Sequence, residues 1–198
     1  VSTALRQSQL PLIPLNTVLF PGGRLPLRIF EQRYIDMVKQ AIAENTPFGV
    51  CAIREGQETG TPAIPHSVGT LVRITDWDMP QTGILHIDTQ AEERFVIRST
   101  ETLPSGLLVG TVDSISEEPP CAVPEELELA VEILRGIIDE LGAARFPAPL
   151  AFDDAAWVGF RLSEILPLKL GVRQNLLEMN DSVTRLRILT EFLKKQIN

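Results

Sequence analysis

Apolar residues follow two different rhythms along this chain, and the change falls near Pro119-Pro120. Ahead of it, short β-branched and apolar runs alternate with glycines, prolines and polar turns. Beyond it, apolar residues recur every three or four positions. Short apolar runs and alternation read as strand; recurrence at i, i+3 and i+4 reads as helix.

In the first part, residues 12–15 read as extended, because each proline biases its predecessor away from helix. Val18-Leu19-Phe20 leads into Pro21-Gly22-Gly23, a turn in which proline fixes φ and glycine admits positive φ. Residues 25–30 are extended again. A helix is predicted over 31–44, with Tyr34, Met37, Val38, Ala41 and Ile42 on its apolar stripe and Asn45-Thr46-Pro47 as its stop. Residues 48–54 read as a buried strand and 56–67 as a surface loop. Residues 68–79 and 84–89 form a hairpin about Pro80-Gln81-Thr82-Gly83, and 94–100 and 107–115 are further strands. Six or seven short strands with one inserted helix predict a partly closed β-barrel or strongly bent sheet.

The second part predicts helices. Pro124 suits a first helical turn, with Glu125 and Glu126 at the positive helix end. Leu127, Ala130, Val131, Leu134, Ile137, Ile138 and Leu141 make one apolar face, which Leu129 and Ile133 widen, and Gly142 ends it. Asp153 or Asp154 caps a second helix through Leu166, and Pro167 opens a third through Glu178. Asp181 or Ser182 caps the last. Each is marginal alone, so a bundle is expected. The fold class is therefore α+β, with a β-rich subdomain over 1–118 and a helical bundle over 119–198.

Charge narrows the function classes. Eighteen basic and 26 acidic residues give a net charge of −8, which opposes general nucleic-acid binding. From Ser99 to Leu134 there are eight carboxylates and no Lys or Arg; from Gly159 onward seven basic residues face four acidic ones. No run of apolar residues is long enough to span a membrane, and the mixed, polar residues 1–9 give no expectation of a secretory signal. The two cysteines, Cys51 and Cys121, support neither a disulfide framework nor a four-thiolate zinc site, so a cytoplasmic setting is the expectation.

Candidate chemistry is sparse. His66 and His86 are the only histidines; His86 and Asp88 would share a strand face but lack further ligands, so no metal or other cofactor is expected. Asp76/Asp78 and Glu92/Glu93 are carboxylate pairs without a visible cleft or nucleophile. Pro21-Gly22-Gly23-Arg24 is a weak anion-loop candidate, and no phosphate-binding Gly-x-x-x-x-Gly-Lys-Ser/Thr occurs.

Longer patterns carry a resemblance. They are Leu15-Asn16-Thr17-Val18-Leu19-Phe20-Pro21-Gly22, Leu25-Pro26-Leu27, and Ile29-Phe30-Glu31-Gln32-Arg33-Tyr34. Gly69-Thr70, Glu93-Arg94-Phe95, Ser163-Glu164-Ile165-Leu166-Pro167, Arg173-Gln174-Asn175-Leu176-Leu177-Glu178 and Arg185-Leu186 follow. Together they resemble the amino-terminal, substrate-binding domain of Lon proteases over roughly residues 10–195. The resemblance implies a PUA-like barrel in the β-rich part, then a helical bundle. It also implies a non-catalytic module that binds unfolded or extended polypeptide segments, with a separately encoded ATPase or protease as a further expected partner. At 198 residues there is no room for added ATPase and protease domains, so neither activity is expected here.

The candidate peptide-binding residues are Phe20, Leu25, Ile29, Phe30, Trp77 and Met79, which form a docking patch where exposed together and core where buried. An extended segment would add strand-edge hydrogen bonds, and the acidic surface would favour basic partners. Two alternatives remain open. One is RNA binding through a basic patch of Arg161, Lys169, Arg173, Arg185 and Arg187; the other is a small hydrolase.

Overall fold

The computed structural model describes residues 8–197, so the reading of the extreme amino terminus lies outside the described residues. Contacts divide the chain into two compact units, Val1–Ser116 and Glu117–Asn198.

The first unit holds six strands and one helix: β1 (Ser8–Leu15), β2 (Arg24–Ile29), α1 (Gln32–Glu44), β3 (Phe48–Glu55), β4 (Ile64–Gln81), β5 (Ile84–Thr102) and β6 (Leu108–Ser114). They form one sheet in the order β2-β5-β4-β3-β1-β6, with β5 also pairing β6. All pairings are antiparallel except β1 with β3, so the sheet is mixed. The expected α+β class holds, and the expected barrel is a partly ringed sheet, in which β2 pairs with β5 alone among the described strands.

Strand β3 shows why the ring holds. Phe48 through Ile53 are all buried, as a continuous apolar run predicts for a strand covered on both faces. Phe48 and Val50 join Tyr34, Ile35, Met37 and Val38 of α1 in one core. Cys51 faces the other way, with Leu10, Leu12, Leu71, Phe95 and Val112. Helix α1 ends where Asn45 takes a left-handed conformation and its N–H bonds the last turn.

Two strands run further than the sequence suggests. Strand β4 starts at Ile64, inside the expected loop, and His66 lies half-buried within it. Strand β5 is one element of 19 residues where two were expected. The polar break at 90–93 is absorbed because its groups find partners. The Gln90 amide donates to Gly22 O at 2.8 Å, Ala91 exchanges backbone bonds with Gly22 and Gly23, and Glu92 pairs with Arg73 at 2.8 Å.

The second unit is helical. A 3-10 turn (Glu125–Leu127) leads into α2 (Glu128–Leu141), and a second (Ala143–Arg145) precedes α3 (Ala155–Ile165), α4 (Leu170–Glu178) and α5 (Ser182–Ile197). Leu127, Val131, Leu134 and Ile138 are buried as expected, while the widening residues Leu129 and Ile133 are only half-buried. Pro167 precedes α4 rather than opening it.

Of the two candidate caps for α3, Asp154 does the work. Its carboxylate accepts from Ala156 N at 3.1 Å and Cys121 N at 3.3 Å. Asp154→Ala is expected to lower the stability of this unit by about 1 kcal/mol, the usual worth of such a cap. Urea unfolding followed by Trp157 fluorescence in a Trp77→Phe background reads it.

Candidate functional site

The six candidate docking residues separate into two groups. Phe20 is fully buried, and Ile29 joins Leu85, Ile87 and Tyr34 in the core; both are structural, which corrects their place in a docking patch. Leu25 is half-buried against the same core. Phe30, Trp77 and Met79 are exposed, by 55%, 53% and 39%. The surface is therefore smaller than expected.

These three share one three-stranded arm, built from β2, the first part of β5 and the last part of β4. Leu27 lies opposite Ile87, and Ile87 opposite Trp77. Phe30 follows Ile29, itself opposite Leu85, while Met79 follows Asp78, opposite His86. Phe30 thus lies just past the end of β2 and Met79 two residues before the end of β4, near the hairpin tip and about two inter-strand spacings (about 10 Å) apart. Beside Phe30 lies a small cavity of about 80 Å³ with Ile13, Leu15, Leu27 and Tyr34 in its lining. Across the arm lies a groove of about 380 Å³, lined by residues 26–28, 76–78 and 86–88.

The arm carries its charges in rows. Pro26, Asp88 and Asp76 are successive cross-strand neighbours, as are Arg28, His86 and Asp78. A slip of one residue between Ile74 and Asp76 sets these rows. Without it, the alternation of a strand would turn Asp76 and Asp78 toward the side of Leu85 and Ile87. The sequence showed Asp76 and Asp78 around Trp77 but gave no sign of the bulge, so it could not place Asp88 against Asp76.

The other candidate chemistry has structural explanations. Among the described residues, no group of three or more His, Cys, Asp or Glu is placed to hold a metal ion. His66 lies near the start of β4, far along the strand from Asp78, the partner of His86. Glu92 pairs with Arg73, and Glu93 accepts from Ser114 Oγ at 3.2 Å. Burial pushes the Cys51 thiol up to about 12, so it stays a thiol. The glycine loop spends its amides internally: Gly22 N donates to Ala91 O at 3.1 Å and Gly23 N to Phe20 O at 2.9 Å. It offers no cradle for an anion.

The proposed basic patch does not form either. Arg161 and Arg185 are buried, at 1% and 0% exposure. Arg185 pairs with Glu118, and Arg173 donates to the carbonyls of Glu164 and Leu166 at 3.1 and 3.0 Å. Of the five, only Lys169 and Arg187 are exposed.

The chain is thus α+β, with a partly ringed mixed sheet, a helical unit and an arm whose exposed apolar residues are Phe30, Trp77 and Met79. Comparison with known proteins gives the family. A model of the ATP-dependent protease La (LON) substrate-binding domain matches residues 9–195, and the chain belongs to that family. It is 25% identical over 196 residues to Lon protease 2 of Myxococcus xanthus, covering 94% of this chain and 24% of that protein. Over a shorter stretch of 67 residues it is 39% identical to Lon protease of Anaeromyxobacter dehalogenans, covering 33% of this chain and 8% of that one. The chain thus spans about a quarter of the length of relatives such as the Myxococcus protein. Among solved structures, a Lon N-terminal domain protein from Xanthomonas campestris superposes with a TM-score of 0.77 at 35% identity, covering 92% of this chain and 96% of that one. The N-terminal domain of Mycobacterium avium complex Lon protease shares the fold, with a TM-score of 0.63 at 17% identity over 93% of this chain and 97% of that one. No described helix is long and apolar enough to cross a membrane.

Proposed function

We propose that this chain recognises polypeptide substrates without acting on them chemically, and that it does so for an ATP-dependent protease. The supporting observation is the grouping of Phe30, Trp77 and Met79 on one arm of a substrate-binding-family fold. An unfolded segment exposes apolar side chains that a folded protein hides. Covering one large apolar side chain on each partner is worth about 1.5–3 kcal/mol, offset by the ordering of the segment. A few such contacts give reversible capture, which suits a module that must release its substrate onward. Backbone hydrogen bonds to a strand edge would add affinity that does not depend on sequence.

Titration with a permanently unfolded, reduced and alkylated fluorescent protein tests this. Binding is expected at about tens of micromolar or tighter, and replacing Phe30, Trp77 and Met79 together by serine should weaken it about tenfold or more. All three are exposed, so the variant should keep its fold. No binding by the unaltered chain at about 100 µM, on the same affinity scale, would remove the reading.

A further inference from the structure

Among the described residues, two strand edges on the arm have no strand beside them. Strand β2 pairs only with β5, and β4 pairs with β3 no further along than Val72. They differ in what they offer. The β2 edge carries Pro26 in mid-strand, which lacks a donor, and the cations Arg24 and Arg28. Charges and bulges discourage random pairing at either edge, but only proline removes a backbone donor outright. The β4 edge from Ile74 to Met79 contains no proline, and from Thr75 onward every residue is exposed.

The side chains along this second edge are sorted. Period two puts Asp76 and Asp78 on one face and Trp77 on the other. Asp88 adds a third carboxylate to the acidic face, directly opposite Asp76. Like charges directly opposite each other destabilise a sheet, and no need of the core explains this pair. Among the described residues, no ion pair engages Asp76, Asp78 or Asp88. Asp76 accepts only from the neighbouring Trp77 N, at 2.8 Å. The nearest cations by register, Arg24 and Arg28 of β2, are diagonal neighbours of Asp88, but Arg28 stands two strands away from Asp78, at about 10 Å.

We propose that the open edge of β4 docks an extended segment that alternates basic with apolar residues. Resting on the polypeptide-binding reading, this names the sequence class that the surface prefers. An added strand puts each side chain on the same face as the residue directly opposite it. Lys or Arg then meets Asp76 and Asp78, while the residue between them meets Trp77. Charge complementarity chooses the occupant, because an acidic or neutral segment would leave Asp76 and Asp78, the carboxylates on the edge strand, without a cation on either neighbouring strand.

The test uses fluorescein-labelled peptides of about eight residues, a common strand length. One alternates Lys with Val, a second replaces Lys by Gln, and a third is the Lys peptide N-methylated at every backbone amide, which removes the donors from both of its edges. The Lys peptide should bind about tenfold tighter than the Gln peptide. In Asp76→Asn/Asp78→Asn/Asp88→Asn that ratio should fall to about twofold or less, with the thermal midpoint unchanged or raised because the repulsion is gone. A control, Glu132→Gln/Asp139→Asn/Glu140→Gln, removes the same charge from exposed sites on α2 and should keep the ratio. N-methylation should abolish the tight binding. Equal binding of Lys and Gln peptides, equal loss in the control, or indifference to N-methylation overturns the inference and leaves general polypeptide binding standing. Failure of every peptide, and of the unfolded protein, overturns both.

Discussion

Replacing Arg185 with methionine is expected to destabilise the helical unit by about 3–5 kcal/mol, the cost of removing one partner from a buried ion pair. Arg185 is fully buried and the Glu118 side chain is 5% exposed. The guanidinium donates from Nη1 to Glu118 Oε2 at 3.1 Å, and from Nη2 to Glu118 Oε1. It also donates to the carbonyls of Leu176 and Met179 and lies 4.3 Å from the Phe160 ring centroid. One side chain on α5 thus ties together the end of α4, a residue of α3 and the segment ahead of α2. Methionine fills similar volume but leaves a buried carboxylate without its cation. Glu118→Gln should cost less, since an amide oxygen still accepts and both carbonyls remain. Joint replacement, Arg185→Met with Glu118→Leu, should recover much of the loss, because removing both charges removes the unpaired one. A Trp77→Phe background leaves Trp157 as the sole tryptophan, so urea unfolding reports this unit alone. A loss under about 1 kcal/mol for Arg185→Met would show the pair to be no stronger than a surface one.

That residue also marks where sequence reading reached its limit. Arg185, Arg161 and Arg173 read as a basic surface because arginines usually lie outside. Nothing in a one-dimensional pattern shows that carbonyls at the end of a neighbouring helix, or a carboxylate 67 residues away, will meet them. The helices themselves were legible, since a 3.6-residue period and an aspartate cap are local signals. So was α1, with its stop at Asn45. The arm was half legible. Its hairpin turn and apolar residues could be read, but its register could not, because a single unpaired position near Thr75 decides which face Asp76 and Asp78 take. Phe20 and Ile29 could not be told from Phe30 for the same kind of reason: neighbours on an irregular strand differ in exposure only through what the sheet places over them.

Phe95→Ala is expected to destabilise the β-rich unit by about 3–5 kcal/mol, the range for emptying a fully buried aromatic site. The ring is held between two glycines. A Cβ at Gly49 would lie 2.7 Å from Phe95 Cζ, and one at Gly69 would lie 2.6 Å from the same atom. Gly69 stands opposite Phe95 in the β4–β5 ladder and opposite Cys51 in the β3–β4 ladder. Its absent side chain therefore lets the ring cross the strand at the point where three strands meet. The adjoining Thr70 fixes the same place by donating its hydroxyl to Leu19 O, so the Gly69-Thr70 pattern seen in the sequence has a packing cause. Gly69→Ala should cost about 1–3 kcal/mol as overpacking. The two substitutions should not add. With the ring gone, half of the alanine clash disappears, but a Cβ at Gly69 would still lie 2.6 Å from Val50 O, a backbone atom that cannot step aside. The double variant should therefore be less damaged than the sum by about 1 kcal/mol, yet worse than Phe95→Ala alone. Hydrogen exchange at the amides of β3 and β5 reads the outcome. Strict additivity would mean that Phe95 and Gly69 do not share one packing site, and that the two sheet faces are braced elsewhere.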